Sequence, residues 1–177
     1  MFIKYIDIKF IALALCFCTN LVSAQLSSPI AGGASVPFPA GKGAGVHSPN
    51  SPFKPLAERA DVLSWNVLTD VKTKSIKGYI TPIFNVQQMA LNQRIQRVQG
   101  FMMPLDPGEK QTHFLLSAVP LNCGFCTPGG PESMIEIKSK TPVKYSMEPV
   151  VVEGNFQVLV NDPFGVYYKI ADASPVK

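Results

Sequence analysis

From Val150 to Val160 the chain alternates. Val150, Val152, Phe156, Val158 and Val160 fall on one side together with Gly154, and Glu153, Asn155 and Gln157 fall on the other. Successive side chains of an extended strand point to opposite faces, so a two-residue period of this length argues for a half-buried strand. A glycine on the inner side of such a strand marks a bend, of the kind that curls a sheet into a barrel. Asn161-Asp162-Pro163-Phe164-Gly165 is a turn sequence, and Val166, Tyr168 and Ile170 then share one side of the run to Ala171. Together these read as a hairpin. The tail from Asp172 is expected to fray.

The same pattern extends upstream. Ile135 and Ile137 alternate with Glu136 and Lys138, which reads as another strand. Thr112 to Val119 is an almost continuous apolar run, expected to be a strand buried on both faces. Asp106-Pro107-Gly108-Glu109 is a tight turn, because proline pre-sets the backbone of its second position. In Val62 to Thr73, Leu63, Trp65, Val67 and Val71 fall on one side, so a strand is expected there. Trp65, with its large area, would anchor the core, and a turn at Ser75-Ile76-Lys77-Gly78 would follow.

Phe84 to Gly100 admits two readings. Leu91, Ile95 and Val98 recur at helical spacing with Gly100 as a C-terminal cap. Alternatively a short helix ends near Leu91, Asn92-Gln93 turns, and a strand runs from Arg94 to Met103. The sum is an all-β domain with one short helix, covering residues 59–173. A small, partly open barrel of five to six strands, of the oligonucleotide/oligosaccharide-binding (OB) type, fits the strand count and the inner glycine. The nucleic-acid function of that architecture does not travel with the fold.

Residues 1–24 carry Lys4 and Lys9, an apolar run from Phe10 to Cys18, and Val22-Ser23-Ala24. That is the layout of a secretory signal peptide cleaved after Ala24, too short for a membrane span of ~20 residues. A periplasmic or secreted protein without stable membrane insertion is expected. Residues 25–58 are rich in Ser, Pro, Gly and Ala without apolar periodicity, and read as a flexible leader. Gly41 to Gly45 in this leader lacks the preceding strand and the spacing of a phosphate loop. The basic residues are scattered, which gives nucleic-acid binding no support.

Export would leave two cysteines, Cys123 and Cys126, on the loop Cys123-Gly124-Phe125-Cys126 that precedes Thr127-Pro128-Gly129-Gly130-Pro131. Three uses are open. A redox pair needs a lowered thiol pKa, usually from a helix N-terminus, and Pro-Gly-Gly-Pro opposes a helix there. A closed zinc site needs four ligands, so Glu132, His47 or a second subunit would have to complete the two sulfurs. Met102, Met103, Met134 and Met147 would suit a softer copper ion. His113 begins the strand leading to the loop, and at ~3.3 Å per residue it sits ~20 Å away. A disulfide is the third use, favoured by an oxidising compartment. Hydrolase signatures such as Gly-x-Ser-x-Gly or His-Glu-x-x-His are missing from the sequence.

Several runs resemble one bacterial family. These are Leu91-Asn92-Gln93-Arg94-Ile95, Gly100-Phe101-Met102-Met103-Pro104-Leu105, His113-Phe114-Leu115-Leu116, and the cysteine loop with Gly129-Gly130-Pro131-Glu132-Ser133. The family is the domain of unknown function 3299, and the resemblance spans Trp65 to Ala171. Many members carry Cys-x-His before a proline run, where this chain has Cys-x-x-Cys. The resemblance implies an exported or lipid-anchored envelope protein, in some cases associated with metal-ion transport, and it favours the strand reading of Arg94 to Met103. The expectation is therefore an exported, non-enzymatic accessory protein that binds a metal ion (zinc or copper) or an envelope transport component through Cys123 and Cys126, with Glu132 as a further ligand. The alternatives are a thiol-disulfide redox protein and an interaction module with a structural disulfide.

Overall fold

Five strands close on themselves. In the computed structural model, which describes residues 43–76 and 78–176, β3 (Arg94–Pro104), β4 (Lys110–Ser117), β5 (Met134–Lys144), β6 (Val150–Val158) and β7 (Tyr168–Val176) form a barrel in the order β3-β4-β5-β7-β6. The β5–β7 pair is parallel and the other pairs are antiparallel. The barrel is OB-like, but it is closed where a partly open one was expected. The reason lies in β3, whose eleven residues serve two neighbours: Arg94 to Gly100 pair with β6, and Phe101 to Pro104 with β4. The signal-peptide reading of 1–24, and the leader as far as residue 42, lie outside the described residues.

Inward side chains fill the barrel. Phe114, Leu116, Ile135, Ile137, Val152, Phe156, Tyr168 and Ile170 are all fully buried. The rings of Phe156 and Tyr168 lie 5.4 Å apart. Gly154 is inward as expected, and the bend belongs to its partner: β7 carries a bulge opposite it, with Asp172 at φ 53°. A Cβ at Gly154 would lie 2.6 Å from Ile170 Cγ2 and 2.7 Å from the Ala171 carbonyl, so only glycine lets β7 approach. The expected fraying from Asp172 does not occur, because β7 runs to Val176 and pairs with β5 through Ala173 and with β6 as far as Val176. Nor is β4 buried on both faces: Phe114 and Leu116 point inward, while His113 and Leu115 are half-covered on the outside.

The largest correction is at residues 62–73. The expected long strand is replaced by one helical turn, α1 (Trp65–Thr69), followed by β1 (Lys72–Ile76). The Ser64 hydroxyl caps α1 by accepting from the Asn66 N–H, and Trp65 and Leu68, three apart, turn inward together. That i, i+3 pair was the helical signal hidden within the alternation. The short helix leaves its carbonyls without internal partners, and the core supplies donors. Gln88 Nε2 donates to Val67 O (2.9 Å) and Leu68 O (3.2 Å), and Tyr168 Oη donates to Leu68 O (2.7 Å). Trp65 is core as expected, its Nε1 donating to Gln99 O at 2.8 Å.

The second reading of Phe84 to Gly100 is the observed one. α2 (Val86–Ala90) begins in a capping box between Asn85 and Gln88, Gln93 turns the chain at φ 60°, and β3 starts at Arg94. The described residues thus hold two short α-helices rather than one, and a 3₁₀ turn at Pro131–Ser133. Strand β1 pairs with β2 (Tyr79–Ile83) in a separate two-stranded hairpin.

Candidate functional site

Phe101 lies on the outer side of β3, out of phase with the inward Val98 and Met102, yet it is only 4% exposed. Residues of the expected flexible leader cover it. The His47 ring stacks 6.5 Å from Phe101, and the Phe53 ring meets it edge-on at 6.2 Å. The described part of that leader is therefore laid against the domain. Its sequence contains the aromatic groups that make this worthwhile, a signal that the overall Pro/Gly/Ser composition obscures.

The cysteine loop holds this segment down. Val46 and Thr127 exchange two backbone hydrogen bonds, Val46 N to Thr127 O at 2.7 Å and Thr127 N to Val46 O at 2.9 Å. Gly45, at φ +86°, leaves no room for a side chain: a Cβ there would meet Val119, and would sit 2.6 Å from Thr127 O and 2.8 Å from Gly129 N. Gly129 in turn packs against the Gly43 carbonyl and Ser133. The glycines on both strips permit backbone to lie on backbone.

Cys123 and Cys126 are joined as a disulfide, their Cα atoms 5.4 Å apart. Cys123 is buried (7% exposed), and its Sγ lies 3.3 Å from Ser51 Oγ. With the sulfur in a disulfide, only the serine hydroxyl can donate in that contact. The loop is a succession of tight turns, with Cys123 N donating to Pro120 O and Cys126 N to Cys123 O. Between the two cysteines Phe125 stands 67% exposed. Leu121 and Asn122 of the same loop, with Met102, Met103, Pro104 and Tyr145, line a small hollow of about 130 Å³.

The predicted metal ligands do not converge. No group of three or more His, Cys, Asp or Glu side chains suited to an ion occurs among the described residues. Two sulfurs bonded to each other offer no thiolate. The Glu132 carboxylate folds back over Gly130 and acts on the Tyr167 and Tyr168 phenols, whose pKa values are raised first by burial and then by this charge. His47 contacts Phe101, and its Nε2 is buried without a hydrogen-bond partner among the described residues. Met102 belongs to the core. His113 keeps to its strand, 2.8 Å from the Glu136 carboxylate, which also has Lys138 and Lys169 within 3.6 Å. The described residues as they stand do not bring together a ligand set for a zinc or copper ion.

The family model described as "Protein of unknown function (DUF3299)" matches residues 57–168, more than half of the chain. The protein belongs to the DUF3299 family. A crystal structure of a DUF3299 family protein from Pseudomonas aeruginosa PAO1 is similar, with 22% sequence identity and a TM-score of 0.38. The match covers 50% of this chain and 64% of the other, so the chain spans less than two thirds of that relative. No curated protein matches the chain. The DUF3299 match starts at residue 57, so the strip that covers Phe101 lies ahead of the matched region.

Proposed function

We propose that this DUF3299 protein is a non-enzymatic accessory protein of the bacterial envelope that docks a partner through its disulfide-closed loop. Phe125 is the observation that carries the reading. A large aromatic side chain, two-thirds exposed, is held between paired cysteines on a loop that is itself bridged to the strip at Val46. A rigid aromatic presented this way loses little entropy on binding and makes an effective interface anchor. The exported setting rests on residues 1–24 and agrees with an oxidised pair. Link to a transport system comes from the family resemblance alone.

The test is site-specific photocrosslinking from position 125 in cells, followed by binding measurements with the captured partner. Phe125→Ala is expected to weaken binding by ~2 kcal/mol, the scale of an aromatic hot spot, and to leave the melting temperature unchanged, because the side chain has little to lose on folding. Stoichiometric zinc or copper on protein purified under reducing conditions, lost in Cys123→Ser, would overturn this reading in favour of metal delivery. Rapid disulfide exchange with a thiol substrate would overturn it in favour of redox work.

A further inference from the structure

The β1–β2 hairpin buries neither face. In β1 all five residues are exposed, and in β2 Tyr79 is 78% and Ile80 71% exposed. Cross-strand register places Lys72, Lys74 and Ile76 on the same face as Ile83, Thr81 and Tyr79. That face borders a groove of about 380 Å³ that also takes in Met89 and Val160, and Lys74 is the only charged residue lining it. A second groove of about 390 Å³ lies between Tyr79 to Pro82 and the β6–β7 loop, which contributes Asp162 to its lining and at whose tip Phe164 is 90% exposed. The hairpin's own charge is one-signed. Between Asp70 and Asp106 the sequence holds Lys72, Lys74, Lys77, Arg94 and Arg97 and no acidic residue. Of the described ones, Lys72, Lys74, Arg94 and Arg97, only Arg97 appears in the ion pairs, bound to Asp61 and Glu153.

We propose that this hairpin seats the protein on an anionic lipid bilayer tip first, with Tyr79 and Ile80, on opposite faces beside the turn, entering the interface and Lys72 and Lys74, farther from the tip, meeting the headgroups. Exposed tyrosine and aliphatic side chains beside lysines, with no acid on either strand, are complementary to a negatively charged membrane surface. A partner strand is the poorer occupant. The loop between Ile76 and Tyr79 has two residues, so that flanking pair exchanges both hydrogen bonds and the pairs alternate from there. Thr73–Pro82 is then a non-bonded pair, and the proline nitrogen, without a hydrogen, faces the free edge of β2. Proline at that position guards an edge against strand addition.

Co-sedimentation with vesicles tests this. The probes are phosphatidylglycerol–phosphatidylethanolamine vesicles and pure phosphatidylcholine vesicles, and all proteins compared carry the same N-terminus. Binding to the anionic vesicles alone is expected, falling as salt is raised. Each lysine lost in Lys72→Gln and Lys74→Gln should lower the partition coefficient about fivefold, the equivalent of about 1 kcal/mol. Tyr79→Ser with Ile80→Ser should remove binding while circular dichroism melting stays at the parent value. Absence of binding to anionic vesicles by the unaltered protein would overturn the proposal without any variant. Binding that is indifferent to the two serines, equal on both vesicle types, or replaced by saturable capture on a protein surface would overturn it as well.

Discussion

The barrel and the β1–β2 hairpin are built from the same extended backbone and both carry isoleucine and tyrosine, but they spend those residues differently. In the barrel Ile135, Ile137, Ile170 and Tyr168 are fully buried, and closure of β3 on β6 leaves the sheet without a free edge. In the hairpin Ile76, Ile80, Ile83 and Tyr79 are between 43% and 78% exposed, and both outer edges are open. An isolated two-stranded hairpin is marginal in water, so its apolar residues do not repay their exposure through folding. The barrel explains stability; the hairpin and the disulfide loop are where side chains are left over for contact with something else.

The comparison is broken most readily from the barrel side. Phe156 is fully buried and its ring meets Tyr168, so Phe156→Ala removes a large core side chain that the closed strands cannot collapse to replace. A loss of ~3–5 kcal/mol is expected in urea unfolding. A loss below ~1 kcal/mol would mean that the closed core is not what holds the domain together.

Tyr168 gives the next effect. Its hydroxyl ties α1 to the barrel through Leu68 O, which keeps a second donor in Gln88 Nε2. Tyr168→Phe should therefore cost only ~1 kcal/mol at neutral pH. The informative part is the pH profile. Burial, aided by Glu132, raises this phenol well above its ordinary value. An unfolded tyrosine ionises near ~10, so above that pH the unfolded state releases its proton first. The stability tied to Tyr168 is fully present below about pH 10 and falls as pH rises toward the folded value. The alkaline limb of a stability profile should be shallower in Tyr168→Phe; an unchanged limb would remove this residue from the account.

How much of this was legible in the sequence follows from the same division. Where one strand face is buried, as at Val152, Phe156 and Ile170, the two-residue period can be read directly, and Gly154 points to the place where the barrel bends. The period misleads at Leu63 to Val71. A single helical turn is too short to establish its own repeat, and Leu68 becomes visible as core only once Gln88 and Tyr168 supply donors from twenty and a hundred residues away. The closure of β3 on β6 is likewise non-local. At the candidate site the two cysteines were plain, but Phe101 and its cover were not. The cover comes from a Gly/Pro-rich strip whose glycines matter for what they allow close to them, and composition carries no record of distance. The hairpin escapes the sequence for another reason: Lys72 to Ile76 and Tyr79 to Ile83 lack the apolar alternation of a buried face, and Ser75 and Ile76, read as part of a turn, close β1.

The smallest expected effect on stability tests that last point. Pro82 sits on β2 with its nitrogen toward the open edge, so Pro82→Val returns an N–H donor there without touching the β1–β2 pairing. Melting should move little, within ~1 kcal/mol, since proline contributes mainly by restricting the unfolded chain. Association should change instead. A hairpin with Lys72 and Lys74 on one strand and an unguarded donor edge on the other becomes a template for strand addition. Sedimentation velocity over a concentration series should show the variant self-associating more than the parent protein. Identical sedimentation would mean the β2 edge is covered by something other than proline, and the contrast between a sealed barrel and an open hairpin would then have to be redrawn around that cover.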